Sequence, residues 1–113
     1  MKISASKISK GLTIKVSAIQ DMEDFYKEAA QNPYRLDWER KMYNDMLEKG
    51  YTKDVGNGSI KKSSPTLVVN NVCDDYSYTY RTGNGRKVTL KWMVLDTDKG
   101  FVTLSSRQKV EVI

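Results

Sequence analysis

The sequence contains no histidine, and this absence removes several chemistries at once. Histidine is the commonest general base near neutral pH and the commonest transition-metal ligand in proteins. Systems in which a histidine activates a serine or a cysteine are therefore excluded. We predict no catalytic residue, no metal site and no cofactor, and we expect a binding domain rather than an enzyme.

Cysteine and long apolar runs are also scarce. Cys73 is the only cysteine, so the chain cannot close an intramolecular disulfide, which fits a reducing compartment. Lysines interrupt the apolar residues near the N-terminus, and no apolar run approaches the length of a membrane span. We therefore expect a cytoplasmic protein that makes no contact with a membrane.

Acidic residues are missing from one long stretch, residues 76–95, although the chain has 14 of them. The net charge is +5, and its distribution is uneven: residues 1–17 carry +4, residues 18–50 carry −3 and residues 51–113 carry +4. An acidic middle between two basic segments indicates a molecule with two electrostatic faces.

The stretch without acids also has the clearest strand pattern. Tyr76, Tyr78 and Tyr80 alternate with polar residues, and after residues 83–85 (Gly-Asn-Gly) the alternation resumes as far as Val94. Side chains of a strand point to opposite faces with a period of two, so the pattern predicts a half-buried antiparallel hairpin with a three-residue turn. One face is predicted to be apolar and the other basic.

The basic face predicts contact with a polyanion, because lysine and arginine neutralise phosphates and hydroxyls bond to phosphate oxygens. If the next strand keeps this register, its residues Thr103 and Ser105 join the same face. The predicted partner is DNA or RNA, bound with weak sequence specificity, and the alternative is an ordinary solvated sheet face. The predicted nucleic-acid-binding residues are Arg81, Arg86, Lys87, Lys91, Arg107 and Lys109 on the sheet, with Lys61 and Lys62 from a loop.

Two other features of this region allow a functional and a structural interpretation. The tyrosines could stack on single-stranded bases, but their shared face favours packing in the core. Four carboxylates at predicted strand ends could gather a cation, but adjacent aspartates at such positions more often form turns. These carboxylates are Asp74, Asp75, Asp96 and Asp98.

The rest of the chain predicts two helices and a short strand. Residues 12–16 alternate as a strand, and Ser17 with Gln20 predicts a capping box that opens the first helix. A second helix is predicted from Asp37 to Lys49, with Gly50 as its left-handed cap. The predicted fold is α+β, a two-layer sandwich of order β-α-α-β-β-β-(β), with two antiparallel helices on one face of a 4–5 stranded, mainly antiparallel sheet.

The whole chain, residues 1–113, is predicted to be one domain, with a flexible basic arm at residues 1–10 and a loop at residues 52–65. The acidic helix pair offers a second function, docking on a basic protein partner. Small basic proteins of this kind resemble inhibitors and accessory proteins of phages and mobile elements, including inhibitors of CRISPR nucleases. The residues predicted for such docking are Asp21, Asp24, Glu28, Glu39, Asp45 and Glu48.

The predicted element order, together with a basic sheet and no histidine, resembles the RelE/ParE toxin family. This resemblance covers most of the chain as topology and implies a ribonuclease that cleaves mRNA on the ribosome. It would place the reaction on the sheet, where Arg81, Lys87, Lys91 and Arg107 are the residues to test. The long loop at residues 52–65 departs from the family pattern.

Overall fold

The computed structural model describes the backbone of all 113 residues and the side chains of all except Asp74, Asp75, Ser77, Tyr78, Tyr80 and Leu90. The strands are β1 (Lys2–Ser4), β2 (Thr13–Lys15), β3 (Ile19–Asp21), β4 (Lys53–Val55), β5 (Thr66–Arg81), β6 (Lys87–Thr97), β7 (Gly100–Ser105) and β8 (Lys109–Val112). The helices are α1 (Glu23–Gln31) and α2 (Asp37–Lys49), and a short 3-10 turn (Ala5–Lys7) follows β1.

All eight strands form one curled sheet, a half-barrel with the order β1-β8-β2-β5-β6-β7-β4-β3. Its neighbouring strands are antiparallel except for β4 and β7, which run parallel through the Asp54–Thr103 pair. The long β5–β6 hairpin supplies the middle of the sheet, and the short strands extend it on both sides. The sheet is therefore mixed, and most of it derives from one hairpin.

The main hydrophobic core lies on the inner face of this curled sheet and comes from the strands and the 3-10 turn. Leu67, Leu95 and Leu104 are fully buried there. Val55 and Val110 join them from strands far apart in the sheet, so the sheet wraps around its own core. The remaining core residues are Ala5, Ile8, Ile14, Val16, Val69, Met93 and Val102.

Gln108 links distant parts of the curled sheet. Its side-chain amide donates at 3.2 Å to the carbonyl of Val55, the last residue of β4, and at 2.7 Å to the carbonyl of Gly56, the next residue. The backbone carbonyl of Gln108 accepts a 2.8 Å hydrogen bond from the backbone N–H of Ala5. Through its side chain and its backbone, Gln108 therefore joins the turn before β8 to the end of β4 and to the segment after β1.

The predicted two-layer sandwich is wrong, because the sheet has eight strands and the helices do not cover its main core. No helical residue belongs to that core cluster. The helices pack chiefly on each other, with the rings of Phe25 and Tyr43 6.1 Å apart. They meet part of the outer face of the sheet, where the hydroxyl of Tyr26 lies 3.5 Å from that of Thr103.

The first helix starts later than predicted. Residues 19–21 form β3 instead, and this strand pairs with β4 through Ile19 and Val55. Ser17 does not cap a helix, because its hydroxyl donates to the carbonyl of Gly56. The carboxylate of Asp21 instead accepts a 3.0 Å hydrogen bond from the backbone N–H of Glu23, the first residue of α1. Pairing with a distant strand thus overrides a local capping signal.

The second helix has the predicted bounds, and Gly50 adopts the predicted left-handed conformation with φ +77°. The N-terminal residues predicted to form an arm include β1, and Ala5 and Ile8 from this segment are buried in the core. Residues 52–65 include β4, followed by a loop. Neither helix among the described residues is both long and apolar enough to cross a membrane.

Candidate nucleic-acid interface

The β5–β6 hairpin extends beyond the rest of the sheet. The pairing of β6 with β7 starts at Trp92, which lies opposite Ser105, and β2 pairs with β5 near Leu67. Residues 77–81 and 87–91 pair with each other past these points. We call residues 77–91 the basic hairpin, because this two-stranded ribbon carries four cations and no acidic residue in its sequence.

A tight turn forms the tip of the basic hairpin. The N–H of Gly85 donates to the carbonyl of Thr82 at 2.9 Å, and the N–H of Thr82 donates to the carbonyl of Arg86 at 2.8 Å. Gly85 has φ +83°, a conformation that L residues with a side chain rarely adopt. The predicted three-residue glycine turn is present, and it places Arg86 at the end of the ribbon.

Cations and hydroxyls share one face of the basic hairpin. Arg81 lies directly opposite Lys87, and Thr79 lies opposite Thr89, with their hydroxyls 2.9 Å apart. Lys91 follows on the same face because it is two residues beyond Thr89. All five side chains are exposed. Like charges directly opposite each other destabilise a strand pair, so the sequence places an unfavourable pair at an exposed tip.

Arg107 lies at the base of the basic hairpin. The N–H of Ser106 donates to the carbonyl of Lys91 at 2.9 Å, which brings the turn after β7 beside that lysine. The carbonyl of Ser106 accepts from the N–H of Ser6 at 2.9 Å, so the turn that contains Lys7 is also close. Arg107, a member of the predicted set, therefore lies beside the basic hairpin, and Lys7 from the basic N-terminal segment lies near it.

The predicted register between β6 and β7 is wrong by one residue. Thr97 pairs with Gly100 across a two-residue turn, so Ser105 lies opposite Trp92 and Thr103 lies opposite Val94. A one-residue shift moves every side chain to the other face. Thr103 is consequently fully buried on the outer face of the sheet, beneath the helices, rather than part of the basic face.

Three of the predicted basic residues lie elsewhere. The ammonium of Lys109 donates to the hydroxyl of Ser4 at 3.1 Å, on strands separated from β6 by β2 and β5. Lys61 and Lys62 lie in the loop after β4, where the carbonyl of Lys62 accepts a 3.1 Å hydrogen bond from Lys15. The structure thus groups Arg81, Arg86, Lys87, Lys91 and Arg107, and it leaves Lys61, Lys62 and Lys109 outside this group.

The aromatic side of the hairpin anchors its base to the helices. Tyr76 is half-buried, and its hydroxyl donates to Oδ2 of Asp45 in α2 at 2.5 Å. Its ring lies edge-on to that of Tyr51, with centroids 6.4 Å apart. Burial and the bonded carboxylate raise the pKa of the Tyr76 hydroxyl. The predicted packing roles of Tyr78, Tyr80 and Leu90 lie outside the described side chains.

The acidic residues proposed for protein docking are partly engaged within the molecule. Glu39 pairs with Arg35 at 3.2 Å, Asp45 pairs with Lys49 at 3.2 Å, and Glu28 accepts a 3.1 Å hydrogen bond from Asn32. Asp21 serves the N-terminus of α1, as described above. Three members of the predicted set, Asp24, Glu28 and Glu48, are exposed on the helices.

The described side chains contain no group of three or more residues able to hold a metal ion. Asp74 and Asp75, from the predicted carboxylate group, have no described side chains. Cys73 pairs with Val94 and Tyr76 pairs with Trp92. The two residues of β5 between Cys73 and Tyr76 therefore lie opposite the single residue of β6 between Val94 and Trp92, which is a β-bulge. Such a bulge bends the strand and increases its twist at the base of the basic hairpin.

A second candidate site was not indicated by the sequence. Asp54, in β4, lines a cavity of about 80 Å³ between the helix pair and the outer face of the sheet. Burial raises the pKa of its carboxyl to about 6. No sequence pattern identifies this residue, because β4 is three residues long and the cavity walls come from distant segments.

No known protein family, curated protein or solved structure matches this chain. The topology that supported a resemblance to the RelE/ParE family also differs from the observed one, because three strands rather than one precede the helices.

Proposed function

We propose that this protein binds duplex nucleic acid, with a preference for DNA, by placing the basic hairpin against the phosphates and into the major groove. The observation that carries the proposal is the pairing of Arg81 with Lys87 at the tip of a ribbon that extends beyond the sheet. Arg86 adds a third exposed cation at the tip, and Lys91 and Arg107 continue the basic surface to the base.

The shape of the ribbon supports the preference for DNA. The major groove of B-form DNA is roughly 12 Å wide and admits a two-stranded β-ribbon, with strands roughly 5 Å apart. The five residue pairs of the basic hairpin span about 14 Å, which suffices to reach into the groove. The corresponding groove of A-form RNA is deep and narrow, so duplex RNA would be limited to contacts with its backbone.

The charges of the basic hairpin supply the free energy of binding. Each phosphate neutralised releases condensed counterions, and this release makes the affinity depend steeply on salt. A phosphate between Arg81 and Lys87 would also replace their mutual repulsion with two attractions. The contacts are mainly with the DNA backbone, so the proposal includes weak sequence specificity.

The test is fluorescence anisotropy with labelled duplex DNA, duplex RNA and single-stranded DNA at several salt concentrations. Four phosphate contacts predict a slope of about −3.6 in log affinity against log salt, which is a loss of about 150-fold between 50 and 200 mM. A variant with Arg81, Arg86 and Lys87 changed to alanine should lose most of this slope and most of the affinity for duplex DNA.

The matched control changes three exposed lysines away from the hairpin, Lys2, Lys10 and Lys41, to alanine. It removes the same net charge, so a loss of binding equal to that of the hairpin variant would indicate non-specific attraction and contradict the proposal. Absence of binding to all three nucleic acids at 50 mM salt would also overturn it. The acidic helix residues Asp24 and Glu48 would then be the next positions to test against protein partners.

A further inference from the structure

The cavity beneath the helix pair has an unusual lining for its size. It measures about 80 Å³, and its walls are almost entirely aromatic rings and methionines. Among the described residues that line it, Asp54 is the one that carries a charge. The lining residues are Met22, Phe25, Tyr26, Met42, Tyr43, Met46, Asp54 and Trp92.

The rings in this lining form a compact cluster. The ring centroids of Tyr26 and Tyr43 lie 5.0 Å apart, and Phe25 lies 6.1 Å from each of them. Phe25 meets Tyr43 at 87° and Tyr26 at 62°, so the ring faces point in different directions. Aromatic faces carry partial negative charge, and rings arranged around a small volume attract a cation within it.

The carboxylate of Asp54 completes this environment. Its Oδ1 atom is buried and has no hydrogen-bond partner among the described side chains and backbone. Burial raises the pKa of the Asp54 carboxyl by more than the nearby backbone of Val55 and the hydroxyl of Thr103 lower it. Burying a charged oxygen without a partner is costly, so a donor that enters the cavity would gain an unusually strong bond.

We propose that this cavity binds a small alkylammonium ion, with an N–H group donating to Oδ1 of Asp54 and methyl groups against the rings of Tyr26, Tyr43 and Trp92. The carboxylate balances the charge of the ion. The rings and the methionine side chains replace the water that surrounds its methyl groups.

The volume of the cavity limits the size of the ion. A cavity of about 150 Å³ in another protein holds benzene, which has six heavy atoms. About half that volume suits three or four heavy atoms, which corresponds to dimethylammonium or trimethylammonium. Tetramethylammonium is larger and has no N–H group, so it serves as a stringent control.

Arg35 shows that the outer side of this ring cluster already accommodates a cation. Its guanidinium carbon lies 5.4 Å from the ring centroid of Phe25 and 5.8 Å from that of Tyr43. Arg35 is not one of the residues that line the cavity, and Glu39 pairs with it at 3.2 Å. The charge of Arg35 is therefore balanced locally, and Asp54 is left to balance a second cation inside.

The methionines provide a residue-resolved test by nuclear magnetic resonance. Met22, Met42 and Met46 line the cavity, whereas Met1 and Met93 do not, so the five methyl signals contain their own control. We expect trimethylammonium chloride, at constant ionic strength, to shift the three cavity methyl signals saturably. Dimethylammonium should bind comparably, and methylammonium, tetramethylammonium and uncharged propan-2-ol, which matches trimethylammonium in its four heavy atoms, should each bind at least tenfold more weakly.

Two variants test the role of the carboxylate. Asp54→Asn preserves the shape of the side chain but removes its charge, and we expect it to weaken trimethylammonium binding at least tenfold. Asp21→Asn makes the same change on the surface and should leave binding unaltered. Equal binding by Asp54→Asn, equal binding of propan-2-ol, or no saturable shift in the wild type would each overturn the proposal.

This site is independent of the basic hairpin. The variant with Arg81, Arg86 and Lys87 changed to alanine should bind trimethylammonium with unchanged affinity. Loss of ammonium binding in that variant would contradict the assignment to the cavity.

Discussion

The ionisation of Asp54 should make the stability of this protein depend on pH in an unusual direction. Burial raises the pKa of the carboxyl from 3.8 to about 6 in the folded protein. The folded state therefore binds this proton more tightly than the unfolded state does. The protonated carboxyl therefore contributes to the free energy of unfolding in full below pH 3.8, and this contribution is lost as the pH rises towards and through 6.

The size of the effect follows from the two pKa values. Each pKa unit corresponds to about 1.4 kcal/mol, so a shift from 3.8 to about 6 sets an upper limit of about 3 kcal/mol on the cost of ionising Asp54, which solvent screening of this partly exposed group lowers. The other titratable groups lining the cavity are the phenols of Tyr26 and Tyr43, and the pKa of Tyr26 is raised to about 12. Asp54 is therefore the group in the cavity that titrates between pH 4 and 8.

The assay compares wild type with Asp54→Asn by urea unfolding at several values between pH 4 and pH 8. Relative to the wild type, the variant should gain up to about 3 kcal/mol of unfolding free energy on going from pH 4 to pH 8. Using this change, rather than the difference at a single pH, cancels any constant effect of the amide. The Asp21→Asn variant is the control. A difference that does not vary with pH would refute the assignment of a raised pKa to Asp54.

Two further predictions concern contacts that hold the sheet and the hairpin in place. Gln108→Ala should lower the free energy of unfolding by about 1 to 3 kcal/mol, because it removes donors from the carbonyls of Val55 and Gly56. Urea unfolding measures this free energy, and an unchanged unfolding midpoint would contradict the prediction. Tyr76→Phe should raise the pKa of Asp45, because the hydroxyl of Tyr76 is the main group that lowers it. The carboxyl chemical shift of Asp45, followed against pH, measures this pKa, with Asp21 as the reference.

Long periodic elements of this chain were predictable from the sequence, whereas of the three-residue strands only β2 was. The hairpin turn and α2 are specified locally, by Gly85 at a positive φ and by Gly50 at the helix end. Strands β1, β3 and β4 have three residues each, too few to show a period of two. Their existence depends on hydrogen bonds to distant strands, so the curled sheet could not be inferred from local patterns.

The two candidate sites also differ in how far the sequence predicted them. The basic hairpin was predicted because its cations lie on two strands joined by a recognisable turn. Arg107 was predicted from a wrong register, yet the Ser106–Lys91 hydrogen bond brings it to the hairpin. The Asp54 cavity draws its walls from both helices, β4, β6 and the residue before α1. A site assembled from so many segments leaves no spacing in the sequence that identifies it.

The two candidate sites differ in how salt should affect them. The cations of the basic hairpin are exposed, and added salt screens charges separated by more than about 8 Å at physiological ionic strength. Asp54 is shielded by the helix pair, so its electrostatic cost changes little with salt. Salt should therefore weaken nucleic-acid binding while leaving the pH-dependent difference between wild type and Asp54→Asn nearly constant. Parallel loss of both effects would mean that the carboxylate is more accessible than its burial implies.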